Sequence, residues 1–295
     1  MFFAKPYKDT LYKYHIYNFK DKLTCYTPYG FYFTTRYKFS AKLPIYSLLW
    51  KFFVETEFQK QVEKHFSVAK GQNTIVSGCL ATEPLIDPNY VPENNWKEQN
   101  TQKKRIIWAP HHTIDYIFNF STFLTYAEFM LEMAKKFNDD VQFVFKPHPV
   151  LKVKLINLWG KEKTETYYRQ WELLENAQIE EGYYMDLFLT SDALIHDCDS
   201  FRGEYLYLPK KPVLFLVRDD SITDVMNEFG KKCFDMHYHA NRKEQIEHFI
   251  QDVVLNGNDP MKPQREQFFK DYLYPKDGIM PSQKIINILK EELGE

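Results

Sequence analysis

The pattern of apolar and polar positions changes character at about residue 100. Beyond that point, short runs that are apolar on both faces alternate with stretches of helical spacing. Residues 104–109 (KRIIWA), 141–146 (VQFVFK), 193–197 (ALIHD) and 212–217 (PVLFLV) read as buried strands. Phe123, Ala127, Met130, Leu131 and Ala134 recur at helical intervals behind Ser121 or Thr122 as N-cap. Residues 155–174, 200–207, 221–229, 242–254 and 282–293 read as further helices. Strands buried on both faces and separated by helices predict an α/β domain built on a parallel sheet covered on both sides. Such sheets take ligands at the carboxyl ends of their strands, so the residues directly after each strand are the candidates for chemistry. Before residue 100 the pattern is thinner. Residues 52–54 and 74–77 read as strands flanking a helix over 56–66, and 91–102 reads as a polar linker. The expected division is a partial N-terminal α/β domain with its linker over 1–100 and a Rossmann-like parallel-sheet domain over 101–295.

Composition narrows the classes. Of 295 residues 44% are hydrophobic, enough for a core and against wholesale disorder. A net charge of −2 argues against a protein that coats duplex DNA, so no nucleic-acid partner is expected. Residues 22–53 hold Lys22, Arg36, Lys38, Lys42 and Lys51 and no acidic residue, interleaved with Phe31, Tyr32, Phe33, Tyr37, Phe39, Tyr46 and Trp50. This is either a basic surface over an aromatic core or a patch for a membrane interface. Cys25, Cys79, Cys198 and Cys233 are scattered without a CxxC pair, which fits reduced thiols. The first residues lack the pattern of a signal peptide, and no run reaches the roughly 18 apolar residues that span a bilayer. The expectation is a cytoplasmic protein with peripheral attachment to the inner face of the membrane.

Four segments carry candidate chemistry. In Ile195-His196-Asp197-Cys198-Asp199-Ser200-Phe201 a strand ends and a helix starts near Ser200. Free amides and the positive dipole end make a phosphate cradle there, and a simple N-cap role is compatible with it. Two aspartates beside a phosphate would repel it, so Asp197 or Asp199 must turn away, pair with a cation or meet a hydroxyl. In Lys146-Pro147-His148-Pro149 the prolines restrict the backbone on both sides of His148. A rigid imidazole suits phosphate binding or protonation of a leaving group. In Pro110-His111-His112-Thr113 the two histidines should point apart, leaving at least one structural and His112 or Thr113 lining the cleft. In Tyr274-Pro275-Lys276-Asp277-Gly278 the glycine permits a tight turn, and Ser282 is a helix cap or a further phosphate donor. His111, His112, His148, His196, Asp197 and Asp199 are metal-ligand types, but no HxH or HExxH spacing joins them, and neither a metal nor a cofactor is expected.

With these segments in view the chain resembles the CDP-glycerol glycerophosphotransferases, the teichoic acid primases and polymerases. WAPHHT at 108–113 resembles the family's strand ending in Ala-Pro-Thr-Trp-Arg, and KPHP at 146–149 its strand before His-Pro. SDALIHDCDSFRGEYLYLPKKPVLFL at 191–216 resembles its Asp-Tyr-Ser-Ser helix start and Lys-Arg-Pro strand, and PKDGIMPSQKI at 275–285 its Asp-Gly-x-Ala-Ser close. FFVETEFQKQVEKHF and TIVSGCLATEPLID resemble the end of the family's N-terminal domain, so the match covers about residues 50–295. The resemblance implies a GT-B architecture, with an acceptor-side first domain and a nucleotide-donor-binding second one. It implies transfer of glycerol phosphate from a CDP-activated donor to a hydroxyl of a cell-surface polymer or its lipid-linked precursor, with release of CMP. By motif position it implies that His148, Ser200 and Ser282 hold the donor phosphates; together with the segments above, the expected site is catalytic His148 and His112, with donor contacts from Lys146, His196, Asp197, Asp199, Ser200, Phe201, Asp277, Gly278 and Ser282. Four departures stand against the family pattern. Asp199-Ser200 replaces Ser-Ser, His111-His112 replaces Thr-Trp with no following Arg, Cys79-Leu80-Ala81 replaces Tyr-Pro-Arg, and no early His-Gly-Thr is present. They keep CDP-ribitol, a nucleotide sugar for capsule or lipopolysaccharide synthesis, and a non-catalytic nucleotide-binding remnant open as alternatives.

Overall fold

The structure, a computed structural model, describes residues 1–3, 11–115 and 120–294, apart from the side chains of 220 and 221. It divides into two units, the first formed by Met1–Asn89, Val225–Lys231 and Phe268–Glu295, the second by Tyr90–Asp224 and Lys232–Gln267.

In the first unit, β1 (Phe2–Phe3), β2 (Cys25–Tyr26), β3 (Lys51–Val54) and β4 (Thr74–Val76) pair in parallel in sequential order. The strands β1 and β2 have two residues each, too short for an apolar pattern to show. Short helices α1 (Tyr37–Ser40) and α2 (Pro44–Leu48) precede β3, and α3 (Glu57–Phe66) follows it. The Thr56 hydroxyl accepts from the Gln59 amide at 3.3 Å and starts α3 as an N-cap. On one side of the sheet Tyr46 stacks on Phe52 with ring centres 4.9 Å apart. On the other, Cys25 and Phe53 are buried against Ile285 of the C-terminal helix Pro281–Leu293. Burying Ile285 is what ties residues 268–295 to this unit, whereas the expected division places them with residues from 101 onward. Part of the basic-aromatic segment is interior or neutralised: Phe33 and Tyr46 are buried, and Lys51 binds Glu292 at 2.5 Å. Tyr29, Phe39, Leu43 and Leu48 remain exposed.

In the second unit all four doubly apolar runs are neighbours in one parallel sheet. β5 (Lys104–Ala109) lies between β6 (Val141–Phe145) and β8 (Ala193–His196), and β8 pairs with β9 (Val213–Leu216). Three-residue strands β7 (Ala177–Ile179) and β10 (Tyr238–Ala240) close the edges, giving the order β10-β9-β8-β5-β6-β7. This is the doubly wound order, with a reversal between β5 and β8. Helices α4 (Phe123–Lys136), α5 (Pro149–Trp159), α6 (Lys161–Leu173), α7 (Met185–Thr190) and α8 (Phe201–Glu204) lie between the strands. The single helix expected over 155–174 is two, because Gly160 adopts φ 85° and ends α5. The core under β5 and β6 is aromatic: the Trp108 ring lies 5.0 Å from Phe145 and 5.5 Å from Trp171. All four cysteines are buried, and none is in a disulfide. Among the described residues no helix is long and apolar enough to cross a membrane.

Candidate functional site

Strand order decides which loops meet. Because β5 sits between β6 and β8, the segments after these three strands leave the sheet side by side at its carboxyl edge, at the point where the order reverses. Backbone bonds lock the first two together: Lys146 N donates to Trp108 O at 2.8 Å and His148 N to Pro110 O at 3.1 Å.

Three imidazoles gather there. Ring centres are 4.2 Å apart for His111 and His112, 4.2 Å for His112 and His148, and 5.2 Å for His111 and His148. The expectation that His111 and His112 point apart assumed strand alternation. Residues 110–113 have left the strand, so both rings turn to the same place. The His148 Nδ1 accepts from the Val150 amide at 3.2 Å, which leaves the proton of the neutral ring on Nε2 as an outward donor. The His111 Nδ1 lies 3.0 Å from Thr113 Oγ1. Burial first, then the neighbouring His112 and His148 and Lys154, hold His111 down to about 3. Burial and the same kind of neighbours hold His148 down to about 4, and burial lowers His112 as well. All three are therefore neutral at pH 7. In this state His148 serves as a hydrogen-bond donor, and protonating a leaving group would first require an incoming anion to raise its pKa. Lys154, on α5, bonds Asp115 at 2.6 Å beside the cluster.

The two aspartates after β8 solve the repulsion problem in different ways. Asp197 is buried and turned inward, and its Oδ1 accepts from the His111 amide at 2.5 Å. Its Oδ2 accepts from the Thr122 amide at 2.5 Å, Thr122 Oγ1 at 2.9 Å and Ser121 Oγ at 3.1 Å. It thus supplies the anionic cap of the 14-residue helix α4, whose Thr122 makes no cap bond of its own. Burial pushes its carboxyl up to about 6 against the pull of those donors. Asp199 pairs with Arg202 at 2.9 Å.

The other expected contacts are placed as follows. Lys146 is buried with its Nζ on Gly182 O at 2.8 Å, holding that loop. His196 is wholly buried, its Nδ1 3.1 Å from Cys198 O and its ring against Phe215, so it packs the core. Phe201 is likewise interior, 4.8 Å from the Tyr184 ring. Ser200 is half-buried, its Oγ 3.2 Å from Cys198 Sγ. Asp277, Gly278 and Ser282 belong to the first unit. Asp277 binds Lys284 at 2.7 Å, and Gly278 makes the turn at φ 69°. The Ser282 hydroxyl and amide donate to the two oxygens of Glu83 at 2.5 and 2.7 Å. A carboxylate of the same unit therefore sits where a phosphate was expected. Sequence reasoning missed Glu55, directly after β3. It is buried with Oε1 unpartnered, and burial followed by backbone bonding and Glu63 sets it at about 8. A glutamate ending the run Phe52-Phe53-Val54 was the available signal.

No family model and no curated protein sequence matches this chain. Solved structures do. The wall teichoic acid polymerase TagF, in its H444N variant, matches at TM-score 0.63 and 16% identity over 94% of this chain and 70% of that one. A putative UDP-N-acetylglucosamine 2-epimerase from Listeria monocytogenes matches at TM-score 0.57 and 16% identity, over 94% of this chain and 70% of that one. The S. aureus MnaA–UDP structure matches at TM-score 0.53 and 13% identity, over 94% and 69%. The chain therefore has the fold of these proteins, two parallel-sheet α/β domains of the GT-B kind.

Proposed function

We propose that this chain is a transferase that takes glycerol phosphate, or a related polyol phosphate, from a CDP-activated donor and passes it to a hydroxyl of a cell-surface polymer or its lipid-linked precursor, releasing CMP. The observation that carries this reading is the cluster of His111, His112 and His148 at the carboxyl ends of β5 and β6, next to the switch point of a doubly wound sheet. Phosphoryl transfer needs positioning and charge stabilisation more than covalent catalysis. Neutral N–H donors fixed in direction meet phosphate oxygens without first giving up a counter-ion, and the two aspartates nearby are already turned in or paired. His148, whose Nε2–H is set by the Val150 amide, takes the leaving phosphate, and His112 takes its neighbour. TagF structures soaked with CDPG are among the similar folds and support the choice of donor. The exposed Phe39, Leu43 and Leu48 among lysines suit a lipid surface on the cytoplasmic side, where a lipid-linked acceptor would lie.

The test is CMP release and calorimetric donor binding across CDP-glycerol, CDP-ribitol and UDP-sugars, with wild type and His148→Ala. Loss of one donor to a charged oxygen should weaken donor binding or turnover about 10- to 150-fold. Full turnover by His148→Ala would sink the assignment. The UDP-bound MnaA fold motivates a second reading, a GT-B glycosyltransferase, and selective use of a UDP-sugar in the same panel would favour it.

A further inference from the structure

The same three side chains have a second chemistry that depends on no nucleotide. We propose that His111, His112 and His148 form a capture site for a divalent ion of the zinc, cobalt, nickel and copper class, with a fourth coordination position left open. One ring nitrogen from each residue lies within 4.8 Å of the others, the only such group of three potential ligands among the described residues. Bonds of about 2.0–2.1 Å need ligand atoms roughly 3.4 Å apart, so the rings must close by about an ångström, a matter of side-chain rotation. His112 is free to make that move, since its buried Nδ1 has no hydrogen-bond partner. His111 is oriented in the way a ligand histidine usually is, with Nδ1 held by Thr113 Oγ1 at 3.0 Å and Nε2 left over. His148 must yield most, because coordination through Nε2 moves its proton to Nδ1 and breaks the 3.2 Å bond from Val150, a bond at the long end of the range. The donor set, three imidazoles and no carboxylate, selects transition ions over magnesium and calcium. The nearby charge of Lys154 is answered by Asp115 at 2.6 Å. The ion takes the same His148 Nε2 that donates to phosphate in the donor reading above, so the two occupants exclude each other at that atom. Capture of the ion stands apart from that reading.

The experiment uses the full chain without a polyhistidine tag, stripped with chelator, and no nucleotide. Cobalt is titrated and followed by visible absorption, then displaced with zinc. The expected result is one ion per chain with the intense bands of a tetrahedral site, displaced by zinc and untouched by excess magnesium. His112→Gln and His148→Gln should each weaken binding by at least about 100-fold, and Thr113→Val, which removes only the orienting hydroxyl, by about tenfold. His248→Gln, an exposed histidine elsewhere, should change nothing. Pale octahedral cobalt in the wild type overturns the proposal, as does wild-type affinity in folded His112→Gln and His148→Gln. A failed donor assay leaves these results unaffected.

Discussion

Replacing Asp197 with alanine tests whether one carboxylate assembles the region after β5. Its two oxygens take four donors: the His111 amide at 2.5 Å, the Thr122 amide at 2.5 Å, Thr122 Oγ1 at 2.9 Å and Ser121 Oγ at 3.1 Å. The hydroxyls can rotate to other partners, but the two backbone amides cannot. Each buried donor left unmade costs about 1–3 kcal/mol, and more when the lost partner was charged. Relief of the burial that pushes the carboxyl up to about 6 offsets part of this. The net expectation is a loss of about 2–4 kcal/mol. Asp197→Asn should lose less, about 1–2 kcal/mol, because its oxygen can stay with the three donors near Thr122 while its amide faces the His111 N–H. The assay is guanidinium unfolding followed by the fluorescence of Trp108 and Trp171, which lie in the same core. An Asp197→Ala variant within about 0.5 kcal/mol of wild type would refute the argument, since surface substitutions away from such networks do no more.

Two further outcomes follow from the first unit. Glu55 has its pKa raised by burial from 4.5 to about 8, so the neutral acid is favoured in the folded state. Its stabilising share is complete below about pH 4.5 and is lost as pH rises through 8, up to about 5 kcal/mol; urea midpoints at pH 5, 7 and 9 should therefore slope less in Glu55→Gln, and an unchanged slope would clear Glu55 of the effect. Gly230 is packed so tightly that an added Cβ would stand 2.5 Å from the Phe33 carbonyl oxygen. Backbone cannot swing aside as a flexible side chain can, so Gly230→Ala should lower stability by about 2–3 kcal/mol in the same denaturation assay, and a neutral result would show that the Phe33 segment moves.

What the sequence discloses depends on how local the signal is. β5, β6, β8 and β9 are legible because both faces are buried, making runs such as Ile106-Ile107-Trp108 with no polar break. The edge strands β7 and β10 are not, since Ala-Gln-Ile and Tyr-His-Ala show no such run. His148 was legible through its prolines. Its meeting with His111 and His112 was not, because it follows from β5 and β6 being neighbours in the sheet. Asp197 and Asp199 could be recognised as a problem in the sequence. The solution lies partly in Ser121 and Thr122, some 75 residues away, which no spacing rule reaches. Ser282 and its helix were legible as a local pattern, while the partner Glu83 stands 199 positions away.

The interleaved division of the chain sets an order of events during synthesis. Residues 90–224 and 232–267 are complete before the segment carrying Ile285 leaves the ribosome, so the middle of the protein can settle while its beginning waits. Cys25 and Phe53, made early, lack the cover of Ile285 until the helix Pro281–Leu293 arrives. A stop codon shortly before residue 281 would therefore damage the opening ninety residues while sparing the sheet that follows them.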